Sequence, residues 1–529
     1  MLVSIFNDVI GPVMRGPSSS HCAAALRIGR LARDLMAGDL PEVLVEFDRG
    51  GSLPTTHETQ GSDMGLFGGL LGWDAADERL PQAAETLQAS GTRVRIETVD
   101  THDPHPNTYR LTLSNHCEQH TLRAISTGGG MIELLDIDGF SLSIFGDYYE
   151  TLLRVRGAGA AVVEKLAAFI VADAILLHEH NGEQLIEVKA QQFVDEEIIR
   201  EFMQSGLVSN VQRLAPVLPV LSRKTTSVPF STCAEMIQYD AERNTPLWKL
   251  AIAYESERGG LSEREVIAKM LEIIRILRRS IAQGIAGTHY EDRVLGHQSG
   301  EFLRMQETNR LLNGGALNRM VLYVTALMEV KSSMGVIVAA PTAGACAALP
   351  AAIIAMAEEL NLDEETMAKA LLASGVIGAF IATSWTFAAE VGGCQAEGGS
   401  AACMAAAALV TMANGTLAQA VAAASMAFQN MIGLICDPVA NRVEVPCLGK
   451  NVMAASNALS CANMALAGYD PVIPLDEVID TAKRVAAQMP RELRCTALGG
   501  LSITPTSLAL EYTLATRKAS CGKAACGCG

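Results

Sequence analysis

Aromatic residues make up only 5% of this 529-residue chain, too few to build the stacking platforms that hold single-stranded nucleic acid. Positive charge is also scarce. Lys and Arg total 41 against 58 Asp and Glu, a net charge of -17, so the chain has no electrostatic footprint for nucleic acid or an anionic membrane surface. The opening MLVSIFNDVIGPVMRGPSSSH has no basic stretch followed by an apolar one, so no signal peptide and a cytoplasmic location are expected. No clean run of about 20 strongly apolar residues is present. The apolar stretches of the C-terminal half are Ala- and Gly-rich and are interrupted by Asn414, Gln419, Gln429 and Asn430. They read as buried helices, with no membrane partner. The 13 cysteines include no CxxC pair, and a reducing compartment leaves them free, catalytic or metal-bound. Histidine is missing after His297, whereas ten cysteines fall between Cys346 and Cys528. A site that needs both residue types must therefore draw on both parts of the chain.

What is present is ample core material, with 49% hydrophobic and 19% charged residues. At about 150 residues per domain the length suggests three or four domains. In residues 1–140, segments 43–53, 92–100 and 108–115 read as strands, and Ala23–Met36 has helical periodicity after a Ser-rich start. This predicts an α+β domain. Residues 141–222 carry the order strand (149–156), helix (158–169), strand (170–178), strand (184–189), helix (194–204), strand (207–214). Asn181-Gly182 supplies the hairpin turn. This βαββαβ pattern resembles an ACT-type regulatory module, with a ligand-free ferredoxin-like unit as the alternative. Pro216, Pro219 and Pro229 mark a linker. From 223 to 515 a large all-α catalytic domain is expected, with Glu263–Gly284 amphipathic and 362–382 and 401–413 apolar on most faces. Residues 516–529, rich in Lys, Gly and Cys, read as a flexible tail.

Cys394 follows a Gly-Gly pair, Cys436 opens Cys-Asp-Pro, and Cys447 follows Pro446. These loop-edge cysteines are candidates to converge on a metal, whereas Cys403 and Cys461 lie in alanine helices and read as core. Ser18, Ser19, Ser20 and His21 precede a helix. They would suit a carboxylate or phosphate at its N-terminus, or simply cap it. Pro341-Thr342-Ala343-Gly344 breaks an apolar run, as pocket linings often do.

Gly16-Pro17-Ser18-Ser19-Ser20-His21, Gly51-Ser52-Leu53, His105-Pro106-Asn107-Thr108, Gly128-Gly129-Gly130, Ala340-Pro341-Thr342-Ala343-Gly344, Gly393-Cys394-Gln395, Cys436-Asp437-Pro438-Val439 and Val445-Pro446-Cys447 occur in this order. Together they resemble the iron–sulfur-dependent L-serine dehydratases, with β-type and α-type parts in one chain. The resemblance implies a [4Fe–4S] cluster on Cys394, Cys436 and Cys447. It implies L-serine as the small-molecule substrate and homo-oligomeric assembly. Three thiolates leave one iron open as a Lewis acid for the substrate hydroxyl. His21 and His57 are the candidate bases and Lys450 a further catalytic residue. Ser18, Ser19, Ser20, Gln60, Asp63, Thr342 and Asn451 are the candidate substrate-binding residues. The sequence departs from the family at Gln60, where relatives carry His, and at Lys450, where they carry Arg. Those departures leave open a different β-hydroxy acid, cysteine desulfuration or a non-catalytic sensor. A tail cysteine, Cys526 or Cys528, is a candidate cap for the open iron.

Overall fold

The computed structural model of the chain describes residues 2–36, 38–241 and 243–524. Its first residues do not belong to the domain their position suggests. After a helical turn at Ile5–Val9, strand β1 (Val13–Met14) pairs antiparallel with Ile337–Val338. Ile5, Phe6, Val9, Ile10 and Met14 are buried in the same core as the C-terminal helices. Gly375 and Gly378 of helix Glu364–Ser384 admit this segment, since a Cβ there would lie 2.4 Å from Ile5 and 2.2 Å from Val9.

The alternating segments that follow pair into a six-stranded sheet in the order β3-β2-β4-β5-β6-β7. The strands are β2 (Glu42–Asp48), β3 (Arg93–Val99), β4 (Thr108–Ser114), β5 (Gln119–Gly128), β6 (Met131–Ile137) and β7 (Phe140–Ile144). Only β2 and β3 run parallel. The sequence reading located the first three of these strands but not β5 to β7, which complete the sheet as consecutive hairpins. Helices Ala24–Leu35 and Ser62–Leu70 bury Ile28, Leu31, Leu66 and Leu70 against Val45, Phe47, Tyr109 and Leu111. The two helices nearly touch, because a Cβ on Gly29 would lie 2.4 Å from the Leu66 carbonyl.

The βαββαβ order is present as β8 (Tyr149–Val155), helix Gly159–Phe169, β9 (Ala174–His180), β10 (Glu183–Ala190), helix Glu196–Gln204 and β11 (Val208–Leu214). The sheet order is β11-β8-β10-β9, with all neighbours antiparallel. Asn181 and Gly182 turn the hairpin at φ 50° and 83°, the left-handed pair that matches strand twist. Val162, Leu166, Ile199 and Phe202 close its own small core. The proline-marked segment beyond it has no helix or strand, yet Leu218 and Val220 are buried. Asn7 grips Val220 from both sides, donating to its carbonyl at 2.7 Å and accepting from its N–H at 3.0 Å.

The remainder is helical. Ser400–Met412 is buried along nearly its whole length, and its alanines let neighbouring helices approach closely. Glu364–Ser384 is the one helix among the described residues long and apolar enough to cross a membrane, but 78% of its apolar window is buried inside the fold. Helix Pro505–Ala524 continues into the segment read as a flexible tail. Cys526 and Cys528 lie outside the described residues.

The N-terminal segment is anchored by charge as well as apolar contact. Glu255 accepts hydrogen bonds from Ser4 Oγ at 2.6 Å and Ile5 N at 2.7 Å, and Arg258 donates to the Leu2 carbonyl at 3.0 Å. Removing the carboxylate leaves two buried donors unpaired, so Glu255→Ala should cost about 1–3 kcal/mol of stability, measurable as a lower urea midpoint. Burial pushes the Glu255 carboxyl up from 4.5 to about 7. The folded chain then holds a proton that the unfolded chain releases. This group's stabilising contribution is full below about 4.5 and is lost as pH rises through about 7. Glu255→Gln should flatten that part of the stability–pH curve.

Candidate active site at the seam between the two halves

Cys394 sits between helix Ala389–Gly392 and the turn Gln395–Gly399, which leads into Ser400–Met412. Gly393 makes this junction possible. It has φ 68°, and a Cβ there would lie 2.9 Å from both the Leu434 carbonyl and Met489 Sδ. Cys436 lies in a loop whose N–H donates to the Leu493 carbonyl at 2.9 Å. Cys447 is the first residue of helix Cys447–Leu466, where the helix dipole favours a thiolate. All three are buried, at 4%, 4% and 6% exposure. The Cys394 and Cys436 thiols are hydrogen-bonded to each other, which with burial holds Cys394 well above the ordinary thiol range. Burial pushes Cys447 to about 12.

Cys394, Cys447, Glu397, Lys450 and Asn451 line one small cavity with Gly344 and Ala345. Glu397 Oε1 accepts from Thr342 Oγ1 at 2.7 Å, and burial raises its carboxyl to about 7. A ligand atom of Glu397 lies within 4.8 Å of both Cys394 and Cys436 sulfurs. Lys450, one helical turn after Cys447, points its ammonium at Asp437 Oδ1 (2.8 Å), the Ile435 carbonyl (2.7 Å) and Cys394 Sγ (3.6 Å). Burial works against its charge, but Cys394 and Asp437 outweigh that and hold its pKa above the usual lysine value. The expectation that Lys450 offers a free cation to substrate thus meets an ammonium already engaged.

Asn451 is engaged likewise. Its oxygen accepts from Ala347 N (3.2 Å) and Ala348 N (3.0 Å), and its amide donates to Gly344 O (2.8 Å) and Cys447 O (2.9 Å). It therefore ties the start of helix Ala348–Glu359 to the start of the Cys447 helix rather than presenting a free amide. Cys403 is core in the middle of its helix, and Cys461 bonds Asn430 and Asn457 on another.

The other half meets this group across a hydrogen-bonded seam. Gln60 donates to Asn441 Oδ1 (3.0 Å), Asn441 donates to the Thr55 carbonyl, and Thr55 donates to the Thr496 carbonyl (3.1 Å). Arg491 donates to Gly51 O at 2.9 Å, and Ala343 N–H donates to Ser19 Oγ at 3.1 Å. Ser18 forms no side-chain cap on the helical turn Ser19–Ala23. Instead its hydroxyl contacts Ser20 Oγ (3.2 Å) and His21 Nδ1 (3.1 Å). Ser20 donates to Glu390 Oε1 at 2.7 Å, and the same oxygen lies 3.3 Å from His21 Nδ1. His21 Nε2 is 2.8 Å from Thr56 Oγ1. Burial lowers the His21 pKa despite Glu390, which leaves a neutral imidazole. Glu390 Oε2 is buried and without a hydrogen-bond partner, so this carboxylate has unused acceptor capacity inside the site.

His57 and Asp63 pair with each other rather than facing separate substrate groups, with Nδ1 2.7 Å from Oδ1. Asp63 also borders a cleft of about 370 Å³ between the halves, with Glu58, Tyr290, Lys331, Arg442 and Glu444 on its walls. Lys331 is fully buried, donates to the Val443 carbonyl and acts electrostatically on Cys447 and Glu397. It connects this cleft with the thiol cavity.

The sequence reading missed Glu390, Glu397, Lys331 and Cys495. Cys495 meets the test that selected the three loop-edge cysteines, since it lies between Pro490 and Gly499-Gly500. Nothing in the sequence pattern distinguishes Glu390 from other carboxylates.

Residues 242–502 match the family model described as serine dehydratase alpha chain. A probable L-serine dehydratase alpha chain of Bacillus subtilis is 37% identical over 282 residues, covering 53% of this chain and 94% of that relative. The chain belongs to the L-serine dehydratase family. The probable beta chain of the same organism is 35% identical over 218 residues, covering 40% of this chain and 98% of the relative. An L-serine dehydratase of Streptomyces coelicolor is 27% identical over 520 residues, covering 95% of this chain and 99% of the relative. The family's two-chain and one-chain forms both align with this single polypeptide.

The His57–Asp63 pair makes a prediction. Burial lowers the His57 pKa, but the hydrogen bond and charge of Asp63 outweigh it and lift the group above 6.5. Its contribution to stability is complete below 6.5 and is lost as pH rises through the elevated value. An NMR titration should place the His57 midpoint above 6.5 in the parent and lower in Asp63→Asn, where burial is opposed only by the charge of Glu58.

Proposed function

We propose that this dehydratase-family chain removes water from L-serine and releases pyruvate and ammonia. The observation that supports this most is that His21, a neutral imidazole from the sheet-bearing half, meets Glu390 from the helical half, four residues before Cys394 in the chain. The donor chemistry fits a thiolate-bound iron–sulfur centre. Cys394 shares a small cavity with Cys447, Glu397 and Lys450 and lies within 4.8 Å of Cys436 and Glu397, and the raised pKa values of all three thiols mean that binding would expel protons. When bound there, a [4Fe–4S] cluster with three thiolate ligands would supply a Lewis acid for the leaving hydroxyl.

The chain's own residues divide the remaining work. His21 is the α-proton base, because its imidazole is neutral and Thr56 orients its Nε2. Glu390, against Nδ1, stabilises the imidazolium once the proton has moved. The hydroxyls of Ser18, Ser19 and Ser20 and the amide of Gln60 favour the substrate carboxylate at the seam, with His57 held in its pair with Asp63. Thr342 and Asn451 hold the cavity wall, and Lys450 places positive charge against the Cys394 sulfur. The βαββαβ unit is read as an ACT-like regulatory module, and the whole as a cytoplasmic homo-oligomer acting on a small molecule.

The test is an anaerobic reconstitution with iron and sulfide, followed by pyruvate release from L-serine, D-serine, L-threonine and L-cysteine. L-Serine should be preferred. Cys394→Ala, Cys436→Ala and Cys447→Ala should each lose cluster absorption and turnover, whereas Cys403→Ala should keep both. His21→Ala should lower kcat by about 10²–10⁴-fold with iron content unchanged. A cluster-replete enzyme that ignored L-serine but dehydrated a β-hydroxy acid lacking the amino group would overturn the serine assignment.

A further inference from the structure

We infer that the cavity beside Arg27 is a binding site for a small aliphatic carboxylate, with the carboxylate on the Arg27 guanidinium and the hydrocarbon body on the surrounding apolar wall. The site is separate from the one at the seam, because none of Cys394, Cys436, Cys447 or His21 lines this cavity.

The cavity has a volume of about 400 Å³ and lies where both halves and the linker meet. Helix Ala24–Leu35 of the sheet-bearing half, the N-terminal segment, the linker residues Val217 and Pro219, and helix Glu263–Ala286 of the helical half each give it a wall. Phe6, Ile10, Val13, Leu26, Ile273 and Ile276 make that lining mainly apolar. Its charged residues divide by exposure. Asp74, Lys269 and Glu272 are exposed, and Arg30 is tied to Asp74 at 2.8 Å. Arg27 is 5% exposed. A chamber with apolar walls and one buried charge to fix orientation is how small-molecule sites are usually built.

A buried guanidinium ordinarily meets a carboxylate. Arg27 does not. Its Nη1 donates to the Gly130 carbonyl at 2.6 Å and lies 3.5 Å from Met131 Sδ. Its Nε and Nη2 donate to nothing among the described residues, and it forms no ion pair with them. Asp8 acts on Arg27 electrostatically, but its Oδ2 is taken up by Ser4 N at 2.8 Å. Burial lowers the Arg27 pKa from 12.5 to about 10, which leaves a cation at neutral pH. The free Nε–Nη2 edge is the two-pronged donor that a carboxylate accepts. L-Serine is a poor occupant, since its hydroxyl and ammonium would lose water against the apolar wall. A hydrocarbon body of roughly four or five carbons gains from the same contact. An occupant touches the N-terminal segment, helix Ala24–Leu35 and helix Glu263–Ala286 at once, so its binding adds to the stability of the whole chain.

The test uses the full chain as purified and 4-methylpentanoate as the probe. Titration calorimetry should show one site per chain, and the thermal midpoint should rise with probe concentration. Two controls divide the ligand. 4-Methylpentan-1-ol keeps the hydrocarbon without the charge, and acetate keeps the charge without the hydrocarbon. Each should bind at least about tenfold more weakly. An excess of L-serine should leave the probe in place. Arg27→Met, which keeps much of the side-chain volume and removes the donors, should weaken probe binding by about the same factor. Ile276→Trp alters a half-buried wall position and leaves Arg27 intact, and it should lose binding by filling the cavity. Circular dichroism shows whether each variant is folded, and if Arg27→Met does not fold, Ile276→Trp and the probe series decide. An unchanged midpoint with no binding heat in the parent, equal binding of the alcohol, displacement by L-serine, or full binding to a folded Arg27→Met or Ile276→Trp would each overturn the inference. Pyruvate release tests the dehydratase reading separately.

Discussion

The hydrogen bonds Gln60–Asn441, Thr55–Thr496, Gly51–Arg491 and Ser19–Ala343 join two halves that each hold an incomplete set of chemical groups. The helical half has buried thiols and no histidine among its later residues. The sheet-bearing half supplies His21, His57 and Ser18–Ser20. Each seam bond lies within a few residues of a candidate ligand or base, so a shift of the seam would misplace both. Burial raises the stakes, because polar groups at such an interface lose water and must find partners in each other. Ser20, His21 and Glu390 do so across the boundary, and the unpaired oxygen of Glu390 is the one acceptor left over in that cluster.

Local signals carried much of the reading. The Asn181-Gly182 turn, the alternation in β2 to β4 and the apolar helices all follow from residue-level preferences that no distant contact overrides. The ordered motifs identified the family, and the loop-edge criterion selected Cys394, Cys436 and Cys447. What escaped depends on contacts distant in sequence. Nothing local marks Ile5–Met14 as part of a core whose other members, apart from Cys22 and Ala23, begin more than 200 residues later. Strands β5 to β7 were passed over in favour of the Gly run between them. Asn451, Lys450 and Asp63 were read as free groups because a sequence does not show what already occupies a side chain.

Gln60 and Lys450, the two departures from the family pattern, both act on the buried thiols. Gln60 presents a non-titrating amide to Cys495, and Lys450 presents a compact, strongly hydrated cation to Cys394. A guanidinium would instead offer a planar, two-pronged donor suited to a carboxylate. With its ammonium shared among Asp437, a carbonyl and a sulfur, Lys450 acts on the electronic environment of the thiols more directly than on a substrate.

The interleaved N-terminus changes what joining the halves means. Relatives whose alpha and beta chains are separate polypeptides align with this chain piece by piece. Here the proline-marked connection acts as a tether, raising the effective concentration of one half near the other. Yet residues 5–14 have no core of their own until the helices close around them. Assembly of the halves is therefore a coupled folding reaction rather than the docking of two finished surfaces. The ordering cost of that segment is met only when the site itself is complete.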